Sequence, residues 1–175
     1  LSGNGSSSTA ELFSSDHNIG TKLRHSPAIK KSIPQKSRID INNSDSATLV
    51  RLTGTGPVLS VRIIKYRRLL GGFARIEQLK EVYGLPEETF EAIKGRVFAD
   101  STVIMRININ SAGYKELSRF PYFEKYEIAA ILKYREIKGR ITGMADLTDN
   151  KLITFEKAKQ VGPYLKYNEQ DLFDK

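Results

Sequence analysis

Cysteine is absent from the 175 residues. That excludes disulfides, thiolate metal sites and a cysteine nucleophile together, and it leaves the compartment open. Histidine occurs only at His17 and His25, both in a polar N-terminal stretch, so a histidine metal site or catalytic base is not expected. No apolar run approaches the roughly 20 residues that cross a bilayer as a helix. The longest, Val58 to Ile64, is interrupted by Arg62. There is no P-loop and no dinucleotide-binding fingerprint, and the carboxylates are scattered among helix starts and lysine neighbours without metal or acid/base spacing. An enzyme is not expected, and no cofactor is implied. The chain begins with Leu1, which reads as an excerpt whose upstream signal or anchor is out of view.

What the chain has in excess is positive charge. Lysine and arginine number 28 against 20 aspartates and glutamates, a net charge of +8. A surplus of this kind favours polyanionic partners, nucleic acid or an anionic membrane surface, or else marks a solvated basic surface. It is unevenly spread. Residues 1–38 open with Gly3, Gly5 and a serine run, close with Lys30, Lys31, Lys36 and Arg38, and read as a flexible polar and basic linker. Thr9 to Phe13 can hold a helical turn there. Residues 39–103 carry nine basic against eight acidic side chains, and residues 104–167 carry twelve against seven. Residues 168–175 form an acidic tail.

The strongest internal signal is a repeat. Shifting the chain by 68 positions aligns 39–73 with 107–141 without a gap, and ten of the 35 pairs are identical. They include Ile39/Ile107, Ile41/Ile109, Asn42/Asn110, Leu49/Leu117, Ile63/Ile131, Tyr66/Tyr134, Arg67/Arg135 and Gly71/Gly139. After a three-residue slip the match resumes at Thr89-Phe90-Glu91 against Thr154-Phe155-Glu156. The chain reads as a duplication, with units at 39–103 and 104–167.

Each unit parses as short helices, so the fold expected is all-α. In the first, Ile39–Asn42 is extended and Asn43 or Ser44 caps a helix running to Leu52. Thr53-Gly54-Thr55-Gly56-Pro57 makes a tight turn, with Pro57 suited to the first position of the next helix. That helix carries Leu59, Ile63, Tyr66 and Leu70 on one apolar stripe. It stops at Gly71 or Gly72, after which Phe73 packs back. A short helix over 76–82, the turn Tyr83-Gly84-Leu85-Pro86 and a last helix over 87–97 complete two helix-turn-helix hairpins. Tyr66 and Tyr134 read as core residues, and Asn42 and Asn110 as turn or capping residues.

The string Ile39-Asp-Ile-Asn, then Thr53-Gly-Thr-Gly-Pro57, Tyr66-Arg67, Gly72-Phe73 and Tyr83-Gly-Leu85 resembles the helix-hairpin-helix domain of the competence protein ComEA and its relatives. It covers the first unit end to end and the second more weakly. The resemblance implies two tandem double helix-hairpin-helix units. It also implies an exported receptor, membrane-anchored or periplasmic, for double-stranded DNA in bacterial transformation. Related units occur in DNA repair enzymes and, without DNA binding, in scaffolds.

The physical basis of such binding is simple. Glycines allow close approach of backbone to phosphate, and a helix N-terminus presents unpaired N–H groups with a favourable dipole. Here the amides of Gly54, Thr55, Gly56 and Val58 are expected to converge, and Arg62, Lys65 and Arg68 lie along one flank of the following helix. The alternative reading of the glycines is a tight turn requiring positive φ; that of the basic flank is a solvated face. Contacts of this kind read the backbone and not the bases. Two departures stand out. Thr55 sits where the family places an apolar plug, and the second unit has Tyr122, Phe123 and Glu124 in place of Gly54, Thr55 and Gly56. Tyr122 and Phe123 are therefore the expected protein-contact patch, if the second unit serves a protein partner. The function expected is sequence-independent binding of duplex DNA; the alternatives are a helical protein-interaction scaffold and an accessory module of a repair enzyme.

Overall fold

A computed structural model describes residues 38–167. The N-terminal linker with its histidines and the expected turn at 9–13 lies outside the described residues, apart from Arg38, as does the acidic tail 168–175. The chain runs β1 (Ile39–Asp40), α1 (Ser46–Val50), α2 (Gly56–Leu70), a 3-10 turn (Ile76–Glu81), α3 (Glu87–Ile93) and β2 (Val97–Phe98). It continues through β3 (Ile107–Asn108), α4 (Tyr114–Leu117), α5 (Lys125–Lys138), α6 (Met144–Asp149), α7 (Phe155–Val161) and β4 (Leu165–Lys166). The described residues are mostly helical, with two minimal parallel pairs added to the expected all-α reading. β1 pairs with β2, Ile39 opposite Val97, and β3 with β4, Ile107 opposite Leu165. Each pair ties the first residues of a half to its last.

The offset of 68 holds throughout. α3 starts 68 residues before α7, and β2 lies 68 residues before β4. The three-residue slip inferred from the Thr-Phe-Glu strings is therefore corrected: Phe90 is buried on α3, whereas Phe155 opens α7 and is exposed. The same offset relates the centres of the two cores. Ile41, Leu49, Ile63, Phe73, Leu79 and Ile93 are fully buried, and so are Ile109, Leu117, Ile131, Ile141, Leu147 and Val161. Each such side chain contributes roughly 1.5–3 kcal/mol through its burial.

Local chemistry sets the boundaries. The cap of α1 is Asp45 and not Asn43 or Ser44: its carboxylate accepts from the Thr48 amide at 2.8 Å, while Asn43 and Ser44 donate back to Asp40. α2 has Pro57 in its first turn and ends at Gly71, whose φ of 82° is left-handed. A Cβ at Gly71 would meet the Met105 carbonyl at 2.6 Å, and the Met105 amide donates to the Gly71 carbonyl at 2.8 Å. α3 closes at Ile93, short of the expected 97, because the chain turns there into β2.

Two repeated residues turn out to be staples. The Asn42 side chain accepts from the Phe73 amide and donates to the carbonyls of Phe73 and Asp100, at 2.7–2.9 Å. Asn110 does the same with Ile141 and Tyr167 at 2.8–2.9 Å. Arg67 donates to the carbonyls of Ile41 and Ser44, and Arg135 to that of Ala112. Each half thus has its ends, its long helix and its first turn pinned by one asparagine and one arginine.

Candidate nucleic-acid interface

The hairpin before α2 is built from Leu52, buried, and two glycines with positive φ, Gly54 at 77° and Gly56 at 50°. Their surroundings differ. A Cβ on Gly54 would lie 2.9 Å from the Thr89 hydroxyl of α3, so Gly54 is where the first hairpin packs on the second. A Cβ on Gly56 would meet nothing, so this backbone is open to an approaching group. Between them Thr55 points inward at 1% exposure, and its buried hydroxyl has no partner. The Thr55 amide donates to the Leu52 carbonyl at 3.1 Å. That removes it from the expected converging set and leaves Gly54, Gly56 and Val58.

The start of α2 is chemically bare. Thr55 makes no side-chain cap, Pro57 has no N–H, and no acidic residue lies in the first turn. The first amides of a helix lack intrahelical acceptors, so here they meet no competing carboxylate. The other hairpin helices are closed. α3 opens with Glu87 and Glu88, Glu87 pairing with Lys80 at 2.6 Å. At the start of α5, Glu124 forms a capping box with Glu127, whose carboxylate accepts from the Glu124 amide at 2.8 Å. Glu127 is buried and ion-paired with Lys157 at 3.4 Å. α7 is capped by the Thr154 hydroxyl and carries Glu156 in its first turn.

The basic flank of α2 divides. Lys65 and Arg68 are exposed, and neither enters an ion pair recorded among the described residues. Arg62 is corrected. Its Nη1 donates to the Tyr83 carbonyl at 3.1 Å, its guanidinium lies 4.9 Å from the Tyr83 ring centroid, and a Cβ on Gly84 would lie 2.3 Å from it. Arg62 ties α2 to the second hairpin. Its side chain is a strut between the two turns.

Tyr122 and Phe123 are also corrected, because neither forms an open patch. Phe123 is 7% exposed and packs against Phe120 with ring centroids 5.5 Å apart. Tyr122 is half-buried against the first half: its hydroxyl donates to Glu81 and accepts from Gln78, both at 2.6 Å. Gln78 also exchanges hydrogen bonds with Tyr164 at 2.8–2.9 Å, and Tyr66 donates to Glu81 at 2.5 Å. Burial first, and then the Glu81 carboxylate, push the pKa values of Tyr66 and Tyr122 well above the usual tyrosine value, so both stay protonated donors. The second half's first hairpin is thus docked on the first half. Sequence reasoning missed Gln78 and Glu81, which carry no periodic or motif signal. Among the described residues no group of three or more His, Cys, Asp or Glu could hold a metal ion, and no helix is long and apolar enough to cross a membrane.

Residues 34–98 match the family model of the helix-hairpin-helix motif. In the motif's terms, α1 and α2 flank the Gly54–Gly56 hairpin, and the 3-10 turn and α3 flank the Gly84 hairpin. Two curated proteins are similar over parts of the chain. The endonuclease/exonuclease/phosphatase family domain-containing protein 1 of Xenopus laevis is 23% identical over 133 residues, 64% of this chain and 24% of that protein. The protein of the same name from Bos taurus is 30% identical over 76 residues, 43% of this chain and 13% of that protein. The chain therefore spans a quarter or less of the relatives it matches.

Proposed function

We propose that this chain binds duplex DNA without sequence preference through the Gly54–Val58 hairpin, and that it carries no catalysis of its own. The observation that carries the reading is the uncapped, acid-free start of α2 behind a turn whose Gly56 faces open space. A phosphate seated there accepts from the amides of Gly54, Gly56 and Val58 and lies at the positive end of a 15-residue helix. Lys65 and Arg68 add attraction along the adjoining backbone, and Arg62 holds the neighbouring turn in place. We read residues 104–167 as a second, degenerate helix-hairpin-helix unit whose first hairpin serves as a dock and whose surplus of basic side chains adds diffuse attraction.

Two settings suit such a module. One is a ComEA-like receptor that captures DNA for uptake. The other is an accessory module within a larger nuclease-type protein, favoured because this chain matches a minor part of relatives that carry the endonuclease/exonuclease/phosphatase name. In either, one hairpin reaches few phosphates, so affinity is modest and falls steeply with salt.

The test is fluorescence anisotropy with a short labelled blunt duplex at low and physiological salt, comparing the chain with a Gly54→Ala/Gly56→Ala variant shown by circular dichroism to remain helical. The expected outcome is salt-sensitive binding weakened about tenfold or more in the variant, the scale of losing a charge-assisted contact. Equal binding by the two proteins, or none by the parent at low salt, refutes the hairpin mechanism.

A further inference from the structure

In the second half, the start of α5 and the turn before α7 line an open cavity of about 370 Å³ that the DNA reading does not use. Its size is in the range of small-molecule sites. Two aromatic side chains stand at it, Tyr126 at 71% and Phe155 at 64% exposure, with Lys151, Leu152, Ile153 and Thr154 between them. Large rings left this open cost free energy in water, and a pair of them on one cavity is a feature that asks for a flat partner.

The offset of 68 shows what changed. Where the second half has Tyr126, Lys151 and Phe155, the first half has Val58, Tyr83 and Glu87. An acidic side chain has given way to a ring, and a neutral one to a lysine. Lys151 is also the one non-glycine with positive φ among the described residues, at 55°. That left-handed residue closes the end of α6, where the Leu152 amide donates to the Leu147 carbonyl at 2.9 Å, and it sets Lys151 at the rim of the cavity. Lys159 adds a second cation, its Nζ 4.6 Å from the Phe155 ring centroid. The one carboxylate at the cavity, Glu127, is already taken by Lys157 and the Glu124 amide.

We propose that this cavity binds an unpaired nucleobase, with Tyr126 and Phe155 as stacking surfaces and Lys151 and Lys159 holding the flanking phosphates. Rings beside cations are how single-stranded nucleic acid is gripped without reading sequence, and a duplex offers no free base face to such a site. The inference rests on the nucleic-acid reading of the chain and extends it: the first half takes duplex backbone, the second takes an adjoining single strand.

The experiment uses the full chain and a labelled oligothymidine of about twelve nucleotides, followed by anisotropy at low salt. The expected result is salt-sensitive binding that weakens about tenfold or more in Tyr126→Ala/Phe155→Ala, while Tyr126→Phe and Phe155→Tyr stay within about twofold of the parent. The rings are exposed, so the double variant should fold, and circular dichroism checks it. A blunt duplex run in parallel reads the first hairpin alone. It should be unaffected by the ring variants and weakened by Gly54→Ala/Gly56→Ala, so the two readings fail separately. No strand binding by the parent, or equal strand binding by the ringless variant, overturns the proposal; strand binding that depends on the rings supports it even if duplex binding is absent.

Discussion

Thr55 and Phe123 occupy the same place in the two halves, 68 residues apart, each as the inward-pointing residue of a hairpin. Thr55 lies between two glycines, leaves a bare helix start outside and an unpartnered hydroxyl inside. Phe123 fills the interior with a ring, while its neighbours do the rest: Glu124 caps α5 with acid and Tyr122 docks on the other half. The lesson is that one turn cannot offer naked backbone and bulky docking groups together. Open backbone requires glycine, and glycine brings no side chain with which to pack. The two halves differ accordingly: the first has the open turn, and the second has the turn whose side chains pack against the other half.

Removing the ring that makes the difference should have the largest effect. Phe123→Ala is expected to destabilise by about 3–5 kcal/mol in a urea melt, because the ring has no solvent-exposed alternative. The shared staples come next. Asn42→Ala strands the Phe73 amide and two carbonyls and should cost about 2–3 kcal/mol. Asn110→Ala should cost a similar amount, and a large inequality between them would break the equivalence of the halves. Smaller still is a gain. Thr55→Val keeps the shape of the plug and deletes the unpartnered hydroxyl, so it should stabilise by about 1 kcal/mol with duplex affinity unchanged. The smallest concerns the second turns, where the first half has Gly84 at φ 76° and the second holds Lys151 at 55°. Lys151→Gly should raise stability by about 0.5 kcal/mol as the left-handed strain is released against glycine's entropy.

Much of the framework was legible in the residues. The apolar stripe and Gly71 bounded α2, and Gly54, Gly56 and Pro57 marked a turn with an open helix start. The misses have physical reasons. Arg62 sits on the same flank as Lys65 and Arg68, and nothing in its spacing reveals that a neighbouring turn supplies an acceptor from 21 residues away. Tyr122 and Phe123 read as exposed because polarity patterns cannot foretell that the other half would cover them. Asn42 and Arg67 were visible as identities in both halves, yet their partners lie 23 to 58 residues distant and come together only in the closed fold. Thr89-Phe90-Glu91 misled because three matching letters outweighed the uniform offset set by core burial.

The central claim is that the chain meets duplex DNA at the start of α2 and not at the matching turn of the second half. The most direct measurement is an amide NMR titration of the isotopically labelled chain with a short blunt duplex at low salt. The expected result is that the largest shifts fall on Gly54, Gly56 and Val58, extend to Lys65 and Arg68, and leave Tyr122 to Tyr126 unmoved. Shifts centred on Tyr122 to Tyr126, with the Gly54–Val58 amides silent, would contradict it.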